Sequence, residues 1–194
     1  MARDRDLIQI VDAAIAEAAR KSGDWLACRP GCAECCIGPF PITQLDAGRL
    51  RAGLADLERR DPARAARVRR RAADALERMR EFPGNMFTGV LDDDEDSEER
   101  FAAFADEEPC PALDPDEQTC DLYDARPITC RIFGPAVHSG GDILGVCELN
   151  YVGATDEQIA ACQVDVDPRG LEDELLNGDV RQTIVAFALA VPPK

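Results

Sequence analysis

The nine cysteines in its 194 residues constrain this chain more than any other feature of the sequence. A small secreted protein held by disulfides would be shorter, would begin with a signal sequence and would usually carry an even number of cysteines. Here the amino terminus leads into an amphipathic pattern, and no apolar stretch approaches the roughly 20 residues needed to cross a bilayer. We therefore expect a cytoplasmic protein whose cysteines bind metal or take part in redox chemistry.

The cysteines form one compact group and one dispersed group along the chain. The compact group is Cys28, Cys32, Cys35 and Cys36, whose spacing lets thiolates surround one ion where Gly31 permits a tight turn. Neighbouring side chains point in different directions, so Cys35 and Cys36 are predicted to serve different metals or different irons of one cluster. The dispersed group consists of Cys110, Cys120, Cys130 and Cys147. Ligands spaced so widely would reach one place on separate loops.

Hydrophobic periodicity predicts helices on both sides of the compact cysteine group. Apolar residues at helical spacing predict a helix over residues 5–21 and a helical hairpin over 43–82, whose arms begin at Thr43 and at Asp61-Pro62. Shorter helices are predicted at 97–105, 156–164 and 172–176, whereas the apolar tail over 180–191 fits either a helix or a buried strand. The predicted fold class is mainly α: a small irregular helical domain, residues 1–194, organised around a cysteine-ligated metal centre.

Acidic residues outnumber basic ones by 38 to 22, which gives a net charge of −16. Such a field repels phosphate, so nucleic acid and anionic membranes are not expected as partners, and any protein partner is unknown. The run from Asp92 to Asp96 predicts a flexible acidic loop over residues 90–99. The arginines of the second hairpin arm predict either a basic groove or a solvated face that offsets acidic neighbours.

A longer pattern connects the dispersed cysteines. It reads Cys110-Pro-Ala-Leu-Asp, then Cys120-x-x-Tyr123-x-x-Arg126-Pro127-x-x-Cys130-Arg131-x-Phe133. Together with the compact group, this pattern resembles the YkgJ-type cysteine-cluster family, which is named for its CxxCxxCC motif. The resemblance covers residues 28–41 and 109–147, with the helical hairpin inserted between them, and it leaves Cys162 over. It implies a zinc ion or an iron–sulfur cluster bound by Cys28, Cys32, Cys35, Cys36, Cys110, Cys120, Cys130 and Cys147.

A thiolate-rich centre in an acidic protein would need nearby cations, because the bound site itself carries negative charge. Arg126 and Arg131 adjoin candidate ligands in the sequence, as does Arg29, and we expect them to donate hydrogen bonds to sulfur. One centre or two, and zinc or iron, remain open at this stage because thiolate ligands suit both metals.

Several other interpretations of the cysteines and of the function stay open. The cysteines could form disulfides in an oxidised sample, act as catalytic thiols or be inert. The spacing of Cys28, Cys32 and Cys35 matches that of radical-SAM enzymes, but the chain is too short for their barrel. The favoured function is metal binding or a redox role. The alternatives are an iron–sulfur-dependent enzyme related to the flagellin lysine N-methylase, and a zinc-stabilised protein-interaction adaptor. No catalytic residue is predicted.

Overall fold

The computed structural model describes residues 2–94, 96–139, 142–144 and 146–190. About half of the chain is helical, which confirms the mainly α class. The described ranges contain eight α-helices: α1 (Ala2–Ser22), α2 (Gln44–Arg60), α3 (Pro62–Arg78), α4 (Ser97–Ala102), α5 (Ile128–Ile132), α6 (Asp156–Cys162), α7 (Leu171–Leu176) and α8 (Val185–Ala190). No helix in these ranges is both long enough and apolar enough to cross a membrane.

The strands are short and form small separate sheets. They are β1 (Ile42–Thr43), β2 (Gly84–Asn85), β3 (Val90–Leu91), β4 (Leu113–Asp114), β5 (Thr119–Cys120), β6 (Val137–Ser139), β7 (Asp142–Ile143), β8 (Val164–Asp165) and β9 (Gln182–Thr183). Antiparallel pairs join β1 to β9, β2 to β3, β4 to β5 and β6 to β7, while β6 pairs with β8 in parallel. Single 3-10 turns lie at Gly23–Trp25, Glu34–Cys36 and Tyr123–Ala125.

The chain divides into two compact units. The first unit comprises Met1–Arg29 and Ile128–Gly178, and the second unit comprises Pro30–Pro127 and Asp179–Lys194. Cys28 therefore belongs to the first unit, whereas the rest of the compact cysteine group belongs to the second. The single domain expected over residues 1–194 stays a prediction.

In the second unit, α2 and α3 form the predicted helical hairpin. The Thr43 hydroxyl accepts the Asp46 N–H at 3.1 Å, and the Asp61 carboxylate accepts the Arg64 N–H at 2.9 Å. These bonds satisfy N–H groups that have no partner within the first turn of each helix. The hairpin ends at Arg78 instead of residue 82. The chain leaves the helix at Met79, whose ψ of 47° lies outside the α region.

The apolar tail adopts both structures that its pattern allowed. Strand β9 pairs with β1, with Thr183 opposite Ile42, and α8 follows directly. Residues 185–189 of α8 are all buried, and the helix packs against α2 and α3. A helix that is apolar on every side must be buried on every side, so α8 forms the centre of this unit. Val191, the last residue of the predicted segment, lies outside the described residues.

The arginines of α3 are paired with acidic groups of the same unit. Arg64 and Arg71 both contact the buried Asp121, Arg69 pairs with Glu58, and Arg78 pairs with Glu108. This pairing agrees with the second predicted alternative, a helix face that offsets acidic neighbours. It leaves less unpaired positive charge for the first alternative, a basic groove.

The acidic segment predicted over residues 90–99 contains regular structure at both ends. Strand β3 occupies Val90–Leu91, and α4 begins at Ser97. Between them, Asp92 and Asp94 accept hydrogen bonds from Arg100 at 3.1 and 2.9 Å. Glu95 lies outside the described residues. The flexibility of the segment stays a prediction.

In the first unit, α1 packs against α5, α6, α7 and β8. The helix predicted over 5–21 is confirmed, and so is the one over 156–164, which ends at Cys162. Thr155 and Gln158 form a reciprocal capping box at the start of α6. Buried residues form two small cores: Ala18, Val137 and Val166 in one, and Ala136, Tyr151 and Cys162 in the other.

Candidate metal centre

In the second unit, the segment that follows Cys35 runs beside the segment that leads to Cys110. The Gly38 N–H donates to the Glu108 carbonyl at 2.9 Å, and the Cys110 N–H donates to the Cys36 carbonyl at 2.7 Å. An antiparallel bridge lies between these two bonds. Cys36 and Cys110 are therefore neighbours in space, although the whole helical hairpin separates them in the sequence.

A tight hairpin brings Cys120 beside the segment that carries Cys110. Strands β4 and β5 pair Leu113 with Cys120, and the Leu113 N–H donates to the Cys110 carbonyl at 2.9 Å. The Asp114 side chain accepts two backbone N–H groups of the turn, at 3.0 and 3.1 Å, and these bonds lower the pKa of its carboxyl group. Cys110 and Cys120 also pack against the same apolar core.

Cys35 and Cys36 lie in one tight turn. Residues Glu34–Cys36 form a 3-10 turn, closed by a hydrogen bond from the Cys36 N–H to the Ala33 carbonyl at 2.8 Å. That their side chains point in different directions stays a prediction. That the two cysteines serve different metals, or different irons of one cluster, stays a prediction.

Two thiols of this group, Cys35 and Cys120, are in surroundings that resist ionisation in the absence of a cation. The hydrogen bond to Cys36 and burial raise the pKa of Cys35 well above its ordinary value, and burial raises the pKa of Cys120. In both cases the positive charge of Arg126 acts in the opposite direction and lowers the pKa. A bound metal cation would favour the thiolate forms far more strongly, so the donor set suits zinc or iron.

Arg126 is held in place by Tyr123. Its guanidinium lies 3.6 Å from the centroid of the Tyr123 ring, and its Nε donates to the Tyr123 carbonyl at 3.0 Å. The 3-10 turn Tyr123–Ala125 thus presents a fixed cation shortly after Cys120. The predicted hydrogen bonds from Arg126 to sulfur stay a prediction.

In the first unit, Cys28 and Cys147 meet at Gly134. The Cys147 N–H donates to the Gly134 carbonyl at 3.4 Å, and Val146 forms a parallel bridge with Gly134. Gly134 has φ 122°, and a Cβ at this position would lie only 3.2 Å from the Cys28 sulfur. The backbone conformation therefore favours glycine here, and a larger residue would also press on the Cys28 sulfur.

Asn150 links the three segments of this arrangement. Its Oδ1 accepts the Ala27 N–H at 2.8 Å, and its Nδ2 donates to the Gly134 carbonyl at 2.7 Å. The same Nδ2 lies 3.6 Å from the Cys28 sulfur, while the Asn150 N–H donates to the Cys147 carbonyl at 2.9 Å. Asn150 was not predicted from the sequence, because a single asparagine in a loop carries no spacing signal and only its burial and its partners reveal it.

The other residues of the first unit that were predicted to bind or to surround a metal are Cys130, Arg131 and Arg29. Cys130 is in α5, and the neighbouring Arg131 has a side chain only 6% exposed whose Nη1 donates to Asp12 of α1 at 2.6 Å. The exposed Arg29 donates to the Ala27 carbonyl at 3.3 Å. The predicted hydrogen bonds from these arginines to sulfur stay a prediction.

None of the nine cysteines, all of which lie in the described ranges, forms a disulfide. Cys32 is half-buried and follows Gly31, whose φ of 87° forms the predicted turn. Cys162 is 6% exposed, packs beside Tyr151 and donates its S–H to the Lys21 carbonyl at 3.6 Å. These contacts give Cys162 an ordinary core environment, in agreement with its exclusion from the candidate ligands.

Within the residues that the structure describes, no three His, Cys, Asp or Glu side chains are gathered closely enough to enclose a metal ion. Backbone hydrogen bonds do bring segments that carry candidate ligands beside one another in each unit. The second-unit cysteine group consists of Cys35, Cys36, Cys110 and Cys120, and the first-unit cysteine group consists of Cys28 and Cys147 beside Asn150. The full set of eight ligands and their pairing stay predictions.

Searches of curated proteins and of solved structures found no match to this chain. A model of the CxxCxxCC family, described as a "putative zinc- or iron-chelating domain", matches residues 27–160. The matched stretch covers more than half of the chain and contains every cysteine from Cys28 to Cys147, while Cys162 falls outside it. The chain therefore belongs to the CxxCxxCC family of zinc- or iron-chelating domains, as its cysteine pattern predicted.

Proposed function

We propose that this protein binds zinc or an iron–sulfur cluster through cysteine thiolates and works in the cytoplasm in metal binding or electron transfer. The proposed ligands are Cys28, Cys32, Cys35, Cys36, Cys110, Cys120, Cys130 and Cys147. The observation that carries the proposal is the convergence of Cys36, Cys110 and Cys120 through non-local backbone hydrogen bonds.

This convergence is hard to explain by packing alone. The segments that meet there have little regular structure, and long irregular segments in compact proteins usually need an additional source of order. Cross-links from several loops to one metal would supply that order, because the free energy of metal binding becomes free energy of folding. The soft sulfur donors select zinc or iron over hard cations such as calcium or magnesium.

The bound group would determine what the protein can do. Zinc with four thiolates would hold the loops together, whereas an iron–sulfur cluster would provide one-electron transfer. In either case Arg126, held by Tyr123, places positive charge near Cys35 and Cys120. That charge favours thiolates and offsets the negative charge of the occupied site.

The first test is to purify the protein without oxygen, record its visible spectrum, and measure zinc, iron and acid-labile sulfide per chain. A brown protein with similar amounts of iron and sulfide would support a cluster and a redox role. A colourless protein containing zinc would support a structural metal site. A protein that contains neither metal, and takes up neither on reconstitution, would refute the proposal.

The same measurement separates the two alternative functions. An iron–sulfur-dependent enzyme requires the brown form, while a zinc-stabilised adaptor requires the colourless one. The arginines of α3 give the adaptor little support, because four of them already pair with carboxylates of their own unit. Metal binding itself is therefore the function that the geometry supports best.

A further inference from the structure

Asn150 is the most completely engaged polar side chain near the first-unit cysteine group. The residue is only 4% exposed, and its amide group bonds to two backbone segments of the unit. Burial of a polar side chain is unfavourable unless its donors and acceptors are satisfied. Asn150 meets this condition through partners that all lie beside Cys28 or Cys147.

The hydrogen bonds fix which way the Asn150 amide points. The Ala27 N–H can only donate, so it faces Oδ1, and the Gly134 carbonyl can only accept, so it faces Nδ2. One hydrogen of Nδ2 is used by Gly134. The other is available to the Cys28 sulfur, which lies 3.6 Å from Nδ2.

We infer that Asn150 is a positioning residue for a metal bound through Cys28: it fixes the Cys28 loop and donates an N–H···S hydrogen bond to the thiolate. The inference rests on the proposed function. A metal-bound thiolate can only accept hydrogen bonds, and the second hydrogen of Nδ2, 3.6 Å from the Cys28 sulfur, is the donor that matches it. Donors of this kind fix a ligand in orientation, and their loss typically weakens metal binding by about 10–100-fold.

The test compares Asn150→Asp with the parent. Aspartate has almost the same shape and can still accept the Ala27 N–H, but it cannot donate, and its charge repels a thiolate. Metal-free proteins are titrated without oxygen with Co²⁺ and, in parallel, reconstituted with Fe²⁺ and sulfide. We expect Asn150→Asp to bind about 10–100-fold more weakly. The sulfur-to-metal charge-transfer band should also move to longer wavelength, because an unbonded thiolate gives up electrons more easily.

Two further variants separate positioning from general destabilisation. Asn150→Ser removes the same donor with a smaller side chain, and hydrogen exchange at the Ala27 amide reports whether the loop is still folded. Tyr151→Phe removes a buried hydroxyl that accepts the Ala136 N–H at 2.9 Å in the adjoining core. It should lower the melting temperature without changing the charge-transfer band.

The outcomes distinguish the inference from the proposed function. If the parent binds metal and both Asn150 variants have its affinity and its spectrum, the inference is wrong and the proposed function stands. The inference also fails if Tyr151→Phe weakens metal binding as much as Asn150→Asp does. If the parent binds neither cobalt nor iron with sulfide, the proposed function fails, and the inference fails with it.

Discussion

Cys36 and Cys162 illustrate how far the surroundings of a cysteine determine its role in this protein. Cys36 lies in the 3-10 turn Glu34–Cys36, and its backbone carbonyl accepts the Cys110 N–H from a distant segment. Cys162 instead lies in an apolar core, where its thiol donates to a carbonyl of the chain. The first environment joins two cysteine-bearing segments through the backbone, and the second satisfies a single thiol with ordinary partners.

We therefore predict opposite effects of serine at these two positions. Cys36→Ser removes a soft ligand from the second-unit cysteine group and should lose most of the metal that this group binds. Cys162→Ser is the matched control and should keep the metal content of the parent, because a hydroxyl can also donate to the Lys21 carbonyl. Elemental analysis of both variants, purified without oxygen, provides the measurement. Equal metal content in the parent and in Cys36→Ser would contradict the ligand assignment.

At the scale of elements, Asp121 connects α3 to the strand that carries Cys120. Its side chain is fully buried and contacts the guanidinium groups of both Arg64 and Arg71. Arg71 also donates to the Pro111 carbonyl at 2.9 Å, close to Cys110. The helix thus holds the β4–β5 hairpin through charged contacts and helps to keep Cys110 and Cys120 in place.

Asp121→Ala should destabilise the protein by about 2–3 kcal/mol, because it leaves two arginine charges without their buried partner. The loss stays at this modest size because both arginines retain some access to water. Urea unfolding of the parent and the variant gives the free energy. Glu58→Ala is the control, since Glu58 pairs with Arg69 at the surface and should contribute little. If the two substitutions have equal effects, Asp121 does not hold the hairpin to α3.

At the scale of the whole molecule, the two units combine regular helices with irregular segments that contain the candidate ligands. The helices have buried apolar faces, such as those of α2 and α3 against α8. Apart from α5, the described residues of the segments 28–41 and 109–147 depend on short strands, single turns and scattered hydrogen bonds. These segments are where bound metal would contribute most to stability.

Removal of the metal should therefore destabilise the protein unevenly. A chelator under reducing conditions should lower the melting temperature and increase amide hydrogen exchange over residues 28–41 and 109–147, because metal binding is coupled to folding. The amides of α2 and α3 should stay protected by their own packing. Differential scanning calorimetry and exchange measured by mass spectrometry would check both parts. An unchanged exchange pattern would show that the loops are ordered without metal.

Much of this fold could be predicted from the sequence, because the relevant interactions are local. Thr43, Asp61 and Thr155 each cap the helix that follows within a few residues, so their patterns specify where α2, α3 and α6 begin. The order and spacing of the cysteines likewise predicted the family that the comparison then identified.

The sequence by itself determined the helical class, the helix starts and the candidate ligands, since each depends on residues close together in the chain. Only the tertiary structure decided that α8 is a buried helix and that Cys36, Cys110 and Cys120 converge. It alone also decided that Asn150 contacts Cys28. Each of these depends on contacts between distant segments, which are governed by the packing of the whole unit and leave no periodic signal in the sequence.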